Sequence, residues 1–498
     1  MPRPGTDILI TEPSPGGGGE LDLGQAFMIG EADRGPTVTP ATVHSQADWE
    51  RFFGSTGGLQ ARNSARAFFT ERGANMSFVR LVGDAAKTAE VEMGELQVSA
   101  SSPGTWANDV TVTVVSDVSP LLLADPEDPG DGNGNGDGNG STPPAPVRIV
   151  VTEGGVVTER SARLRTIADA VSWASQTSQY LSVAADDGTE EDGIPVTATP
   201  AALTGGVDDA NITPSVVATA LSRFTYNMGF AQVLYPGCTD PDMHAAILDH
   251  CWTNRRPALL DLNDTDEPSI AADANALHVV TGSRYACALA PRLVYPGPVA
   301  GTTALVPYSA IQAGIIARAD AQTGNPNEAA AGNNGESLAA LALSLDFDDD
   351  TRELLNDLGV TLPKLMRSDV IRTYGTRTAA GPDDTNWMWF PGARTILAMA
   401  AEFDNASEEF VHRQIDGQGR LFTKLQVALG GICLDFFGLG ALYGDQPEDA
   451  FTIDTGPSVN TIDTIANGEV HAVVRVRVSP PGEWVQIEIQ KTPLSMAV

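Results

Sequence analysis

Between residues 207 and 375, three near-continuous apolar runs, 230–234 (FAQVL), 258–262 (ALLDL) and 285–289 (YACAL), alternate with helical stretches at 241–253 and 268–281. A strand that is apolar along its whole length has no solvated side, so it belongs in a sheet covered on both faces. The intervals between the runs hold one helix each, the crossover that parallel pairing requires. A further helix is predicted at 307–321. The core is therefore α/β, and the rest of the chain has to be arranged around it.

Residues 25–89 supply the N-terminal part of this core. The run QAFMIG at 25–30 reads as a buried strand, and Ser45 caps a helix carrying Trp49, Phe52 and Phe53 that Gly54 ends. A second helix, predicted at 63–72, leads to a strand at 77–81. Residues 90–206 then change to short strands, VTVTVVSDV at 110–118 and PVRIVVTEGG at 146–155, with one helix at 166–180. They read as an inserted, mostly β domain. Its loop 128–144 contains DGNGNGDGNG, too polar and glycine-rich to bury anything, and is expected to be disordered. A calcium loop starting at Asp131 would fit Asn133, Asn135 and Gly136 but places Thr142 where a bidentate Glu is needed, so the metal reading fails.

Residues 376–480 read as a C-terminal α+β assembly domain. The chain from 376 to 498 has a helix at 407–417, an amphipathic helix at about 421–437, and two strands, 470–478 and 484–490, joined by a turn at Ser479-Pro480-Pro481-Gly482. Two segments flank the folded chain. Residues 1–24 form an arm in which Ile8, Leu9, Ile10 and Thr11 are a short extended run beside the glycines at 16–19. Residues 481–498 form a C-terminal strand and arm in which Trp484, Val485, Ile487 and Ile489 alternate with polar residues.

Charge and motifs exclude most chemistry. The 64 acidic residues against 30 basic ones give a net charge of -34, which repels phosphate backbones and anionic lipid, so neither nucleic acid nor membrane insertion is expected. Forty Asp and only four Lys suit a surface kept hydrated in strong salt. The four cysteines lie far apart and read as thiols of a chain that folds where it is made. With Lys only at 87, 364, 424 and 491 there is no phosphate loop; GLGALYG at 438–444 lacks the third glycine of a dinucleotide fingerprint, and HExxH and GxSxG are absent. Cys238, His244, His250 and Cys251 have no metal-site spacing and read as packing between helix and sheet, while WMWF at 387–390 reads as core or interface. No catalytic residue, cofactor or metal ligand is assigned.

Several segments, in order along the chain, resemble the contractile tail sheath family of contractile-tailed phages and related contractile injection systems. Gly30 to Pro36 (GEADRGP) is similar to its G-x-A-x-R-G-P turn, and Asp48-Trp49-Glu50-Arg51-Phe52-Phe53-Gly54 and Arg66-Ala67-Phe68-Phe69 follow. VPYSAIQAGIIARADAQTG at 306–324 resembles V-P-P-S-x-x-x-A-G-x-x-A-R-x-D, with Tyr308 at the second proline. LNDLGV at 355–360 resembles L-N-x-x-G-V, and Tyr374-Gly375-Thr376-Arg377-Thr378 the W/Y-G-A-R-T element; of a pair of arginines near 394 only Arg394 is present.

The resemblance implies a subtilisin-like α/β middle domain at 207–375 without catalysis. It also implies a non-enzymatic subunit that polymerises with itself as a helical tube around an inner tail tube. The tube would be bounded by baseplate and tail terminator proteins, assemble in the host cytoplasm and contract from a high-energy extended state. N- and C-terminal arms would pass to neighbouring copies and add strands there, an expectation the extended runs at 8–11 and 484–489 support independently. A static shell or surface-lattice protein, and a secreted acidic hydrolase, are the alternative readings.

Overall fold

A computed structural model describes residues 21–487, apart from 56–57, 118–143, 186–188, 190–191 and 198. Ile8, Leu9, Ile10, Thr11 and Ile489, and the glycine-rich loop up to residue 143, lie outside the described residues.

The chain opens with β1 (Ala26–Gly30), β2 (Ala41–Val43), α1 (Gln46–Phe53), α2 (Leu59–Thr70) and β3 (Met76–Arg80). Ser45 Oγ accepts the Asp48 amide at 3.1 Å and starts α1, and Gly54, at φ 89°, ends it. The second helix begins four residues before its predicted start, because Gly58 in the left-handed region (φ 54°) opens it without a side-chain cap.

Next come three- and four-stranded antiparallel sheets, β4 (Glu90–Met93), β5 (Leu96–Ala100), β6 (Val110–Ser116), β7 (Val147–Glu153), β8 (Val156–Arg160), β9 (Leu181–Ala185) and β10 (Ala201–Ala202), with α3 (Ile167–Gln176) between β8 and β9. Val98, Val112, Ile149, Trp173 and Leu181 belong to a core of their own there.

The alternation of types then resumes: α4 (Pro214–Leu221), β11 (Gln232–Leu234), α5 (Pro241–Asn254), β12 (Ala258–Asp261), α6 (Glu267–Leu277) and β13 (Ala286–Leu289). A small sheet of β14 (Leu293–Pro296), β15 (Thr303–Val306) and β16 (Ala342–Leu343) accompanies α7 (Tyr308–Thr323). After α8 (Asp349–Asp357), β17 (Val360–Leu365) and β18 (Ile371–Tyr374) complete the main sheet.

That main sheet has eight strands in the order β18-β17-β13-β12-β11-β1-β3-β2. Its six inner strands pair in parallel, and antiparallel β2 and β18 close the edges. Alternate residues go to opposite faces, as the two-residue strand period demands. Ala26, Met28, Phe78, Leu234, Leu259 and Cys287 pack under α1, α2 and α7; Phe27, Ile29, Val79, Val233, Leu260 and Ala288 pack under α4, α5, α6 and α8.

The C-terminal region holds α9 (Phe390–Glu408), α10 (Arg420–Gly438), α11 (Pro447–Ala450), β19 (Phe451–Asp454), α12 (Ile462–Ala466) and β20 (Val473–Val476). Two expectations fail here. The helix predicted at 407–417 is absent: the chain is helical before it, as α9, and leaves the helix after Glu408. Among the described residues the predicted hairpin of 470–478 with 484–490 is absent too: β20 pairs antiparallel with β19, and residues 481–487 form no strand. Ser479 explains the second failure. Its amide donates to Ala441 O (2.9 Å) and its carbonyl accepts from Asn327 Nδ2 (2.8 Å), so the chain is directed onto the body there. Pro480 and Pro481 then offer no N–H to a returning strand.

Among the described residues α10 alone is long and apolar enough to cross a membrane by length and composition. It carries Lys424 and Asp435 and buries Leu421, Leu425, Leu429, Cys433 and Phe436.

Candidate assembly site

Two strands with nothing beyond them are the smallest unit of sheet, and in water such a pair is marginal unless another surface completes it. β19 and β20 come close to such a pair: they form the only sheet of the C-terminal region among the described residues, and what lies past them is a single antiparallel bridge from Val478 to Leu442. Val474, Val476 and Ile453 turn inward onto a cluster built from Leu397, Met399, Cys433, Phe436 and Leu442. Phe230, just before β11, and Tyr285, just before β13, join the same cluster, with Tyr285 packed between Trp252 (ring centroids 5.1 Å) and Trp387 (5.7 Å).

Both chain leads reach this cluster. Leu21 and Leu23 pack against it from the N-terminal side, and Val478 from the C-terminal side. The first lead is tied down electrostatically. Arg394 is buried in α9 and pairs with Asp320 of α7 (Nη2 to Oδ2, 2.5 Å), and it also donates to the carbonyls of Leu23 (3.4 Å) and Pro326 (3.3 Å). Burial raises the Asp320 carboxyl above its ordinary range, and Arg394 pulls it part of the way back. The N-terminal lead at Leu21 and Leu23 and the C-terminal lead at Val478 thus meet on the same cluster.

The second lead ends in an exposed apolar segment. Beyond Pro481 the side chains of Trp484, Val485 and Ile487 are 79%, 76% and 79% exposed. A strand with one buried face was expected for them; among the described residues of the chain nothing covers them. Glu483, just before them, is held. Arg377 donates to it through Nη2 (2.9 Å) and Nε (3.2 Å), and Asn356 through Nδ2 (2.8 Å). Arg377 also pairs with Asp357 (2.8 Å) and lies 5.8 Å from the Trp389 ring. Burial lowers the basicity of Arg377, but its bonds to Glu483 and Asp357 outweigh this and raise it.

The other sequence-singled charges are internal struts. Arg318 of α7 pairs with the fully buried Glu71 (2.6 Å), whose carboxylate also accepts from Tyr295, Ser337 and the Leu338 amide. Arg34 joins the main body to the inserted sheets, pairing with Glu153 (3.1 Å) and stacking over Tyr180 at 4.4 Å. Gly35 beside it sits at φ 109°, where an added Cβ would fall 2.5 Å from the Phe53 ring.

Of the histidines and thiols weighed as ligands, His244 Nε2 lies 2.9 Å from the Cys238 carbonyl, and His250 faces Arg256 at 3.2 Å. Cys238 and Cys251 are buried, which pushes the Cys238 thiol up to about 12. Among the described residues no three His, Cys, Asp or Glu side chains gather in a way that would hold a metal. Phe390, from the aromatic run, is buried where α9 starts. Sequence reasoning missed the role of Glu483: one acid in an acidic chain carries no local signal, and its two partners lie more than 100 residues away.

The sequence matches no protein-family model and resembles no curated protein. Its fold has relatives. The sheath tail protein of Listeria innocua superposes with a TM-score of 0.59 at 10% identity, over 92% of this chain and 96% of that one. The sheath tail protein of Desulfitobacterium hafniense gives 0.55 at 12% identity, over 87% and 90%. The anti-feeding prophage helical sheath in its contracted state gives 0.56 at 14% identity, over 96% and 95%. The chain therefore has, over nearly its whole length, the fold of the sheath proteins of phage-like tails and contractile injection systems.

Proposed function

We propose that this protein is the structural subunit of a contractile tail sheath, polymerising as a helical tube around an inner tube. The observation that carries the reading is the small C-terminal sheet: β19 and β20, extended only by a single bridge between Leu442 and Val478 among the described residues, lie on a cluster that both chain leads reach, and the second lead goes on into an exposed apolar segment. Strands lent by neighbours, residues 8–11 from one copy and 484–489 from another, would supply the missing hydrogen bonds. The main sheet is the subtilisin-like body of such a subunit, used as a rigid block without catalysis.

Head-to-tail contacts that do not close make an open helix. If the lent strands stay paired while the bodies rotate and repack, the lattice shortens without coming apart. A few kcal/mol per subunit, summed over a hundred or more copies, is of order 10² kcal/mol, ample to drive a tube through an envelope without nucleotide. The partners are then further copies of the chain, the inner tube, and baseplate and terminator proteins at the ends, assembled in the host cytoplasm. Electron microscopy of the expressed protein tests this: hollow striated cylinders are expected, and flat or spherical lattices would favour a static shell. Removing residues 1–20 should abolish the cylinders; normal yield and length without them would refute arm exchange.

A further inference from the structure

The exposed segment at 484–487 does not leave the body freely. Upstream, Ser479 is fixed by Ala441, Asn327 and Gly440 O, which accepts its hydroxyl at 2.9 Å. Downstream of the two prolines, the chain is gripped a second time, at Glu483, and all of that grip comes from the main body: Asn356 near the end of α8 and Arg377 just after β18. Arg377 is itself pinned by Asp357 and by the Asn356 carbonyl (3.4 Å), with the Trp389 ring beside it. The site is built from the body and takes one carboxylate from the tail. A carboxylate on a planar guanidinium with two donor contacts fixes direction as well as position. The next residue, Trp484, is already exposed.

We infer that Asn356 and Arg377 clamp Glu483 as the pivot of the C-terminal arm, setting the length and direction in which each subunit offers that arm to a second copy of this chain. This rests on the arm exchange proposed above. Release would let out residues 480–483, roughly 13 Å of extended chain at about 3.3 Å per residue. That slack is comparable to the spacing of several sheet strands, about 4.8 Å each, so an unclamped arm would still reach its neighbour but would no longer fix the distance between bodies. The clamp turns a flexible tether into a link of defined length.

The test uses the full-length protein and three variants. Glu483→Ala should still assemble, but into tubes of mixed diameter and disordered helical repeat, with the yield of regular tubes reduced several-fold. Arg377→Ala, which leaves the arm sequence unchanged, should make chymotrypsin cut after Trp484 several-fold faster in the unassembled chain; Asn356→Ala should do the same to a smaller degree. Regular tubes at normal yield from Glu483→Ala, or an unchanged cutting rate in Arg377→Ala, would overturn the clamp. Deleting residues 484–498 tests the underlying reading separately: loss of all tubes upholds arm exchange, whereas persistence of tubes refutes it and removes the clamp's partner.

Discussion

The main body and the C-terminal region use the same materials to opposite ends. In the body, each of the six inner strands has a neighbour on both sides, both faces are covered by helices, and the buried charges Glu71 and Arg318 answer each other. In the C-terminal region the sheet is two strands and one isolated bridge among the described residues, and Val427 and Leu434 on α10 are 70% and 48% exposed. The difference teaches where one folding unit ends. The body pairs its inner strands and covers both faces of its sheet, while the C-terminal region leaves strand edges and apolar surface for something else to complete.

The comparison breaks most visibly if the body is not self-contained. Arg318→Ala should strip the fully buried Glu71 of its cation and destabilise the unassembled chain by about 3–5 kcal/mol, read as a shift of the urea midpoint. A loss below about 1 kcal/mol would mean that the pair is not what holds α2 and α7 together. Gly314→Ala sharpens the same point. Helix propensity alone favours Ala by about 1 kcal/mol. Here the added Cβ would lie 2.7 Å from the Phe68 carbonyl and 2.6 Å from Glu71 Cβ, so a net loss of about 2 kcal/mol is expected. Stabilisation would show that α7 has room that the geometry denies.

These two sites also show what was legible in the sequence. Five strands of the main sheet, β1, β3, β11, β12 and β13, are apolar runs that could be placed locally, whereas β2, β17 and β18 carry no such run and were not placed. The helix α7 was legible from its motif but not from its amphipathicity: residues 308–320 are all buried, so there is no polar face to mark it. The helix α9 was not legible. It opens with Phe390-Pro391-Gly392, which reads as a breaker, although proline in the first turn leaves no helical hydrogen bond unmade. Within the candidate site the exposed alternation at 484–487 could be seen, but the partner of β20 could not. Strand pairing depends on which segment the body brings alongside, and the choice fell on 451–454, about 20 residues upstream.

Acid is a milder probe of the body. His250 lies on α5 with its ring against Arg256 at 3.2 Å; burial first, and Arg256 second, depress its basicity to about 3. Because the unfolded chain takes a proton near 6.5 while the folded chain does not until about 3, this group's contribution is complete above 6.5 and is lost as pH falls through that window. Asp261 opposes it. Burial raises its carboxyl to about 6, so its effect on stability becomes more favourable as pH falls from about 6 towards its unfolded value. The difference between the wild type and His250→Gln isolates the histidine: its dependence on pH should amount to about 1–2 kcal/mol between pH 6.5 and 5, with the wild type the more acid-sensitive. Parallel pH profiles of the two proteins would place the proton elsewhere.

The smallest expected change in stability carries the sharpest contrast. Val485 and Ile487 are 76% and 79% exposed in the single chain, so Val485→Asp with Ile487→Asp removes almost no burial there and should move the urea midpoint of the unassembled protein by less than about 0.5 kcal/mol. If the same two residues become one buried face of a lent strand, assembly should fail outright, since placing two carboxylates against an apolar sheet face requires their desolvation in every copy. Silence in the unfolding curve together with loss of tubes in the microscope would separate the two regions cleanly. A marked loss of monomer stability would show that the segment already packs on its own body, and tubes of normal yield would show that no neighbour buries it.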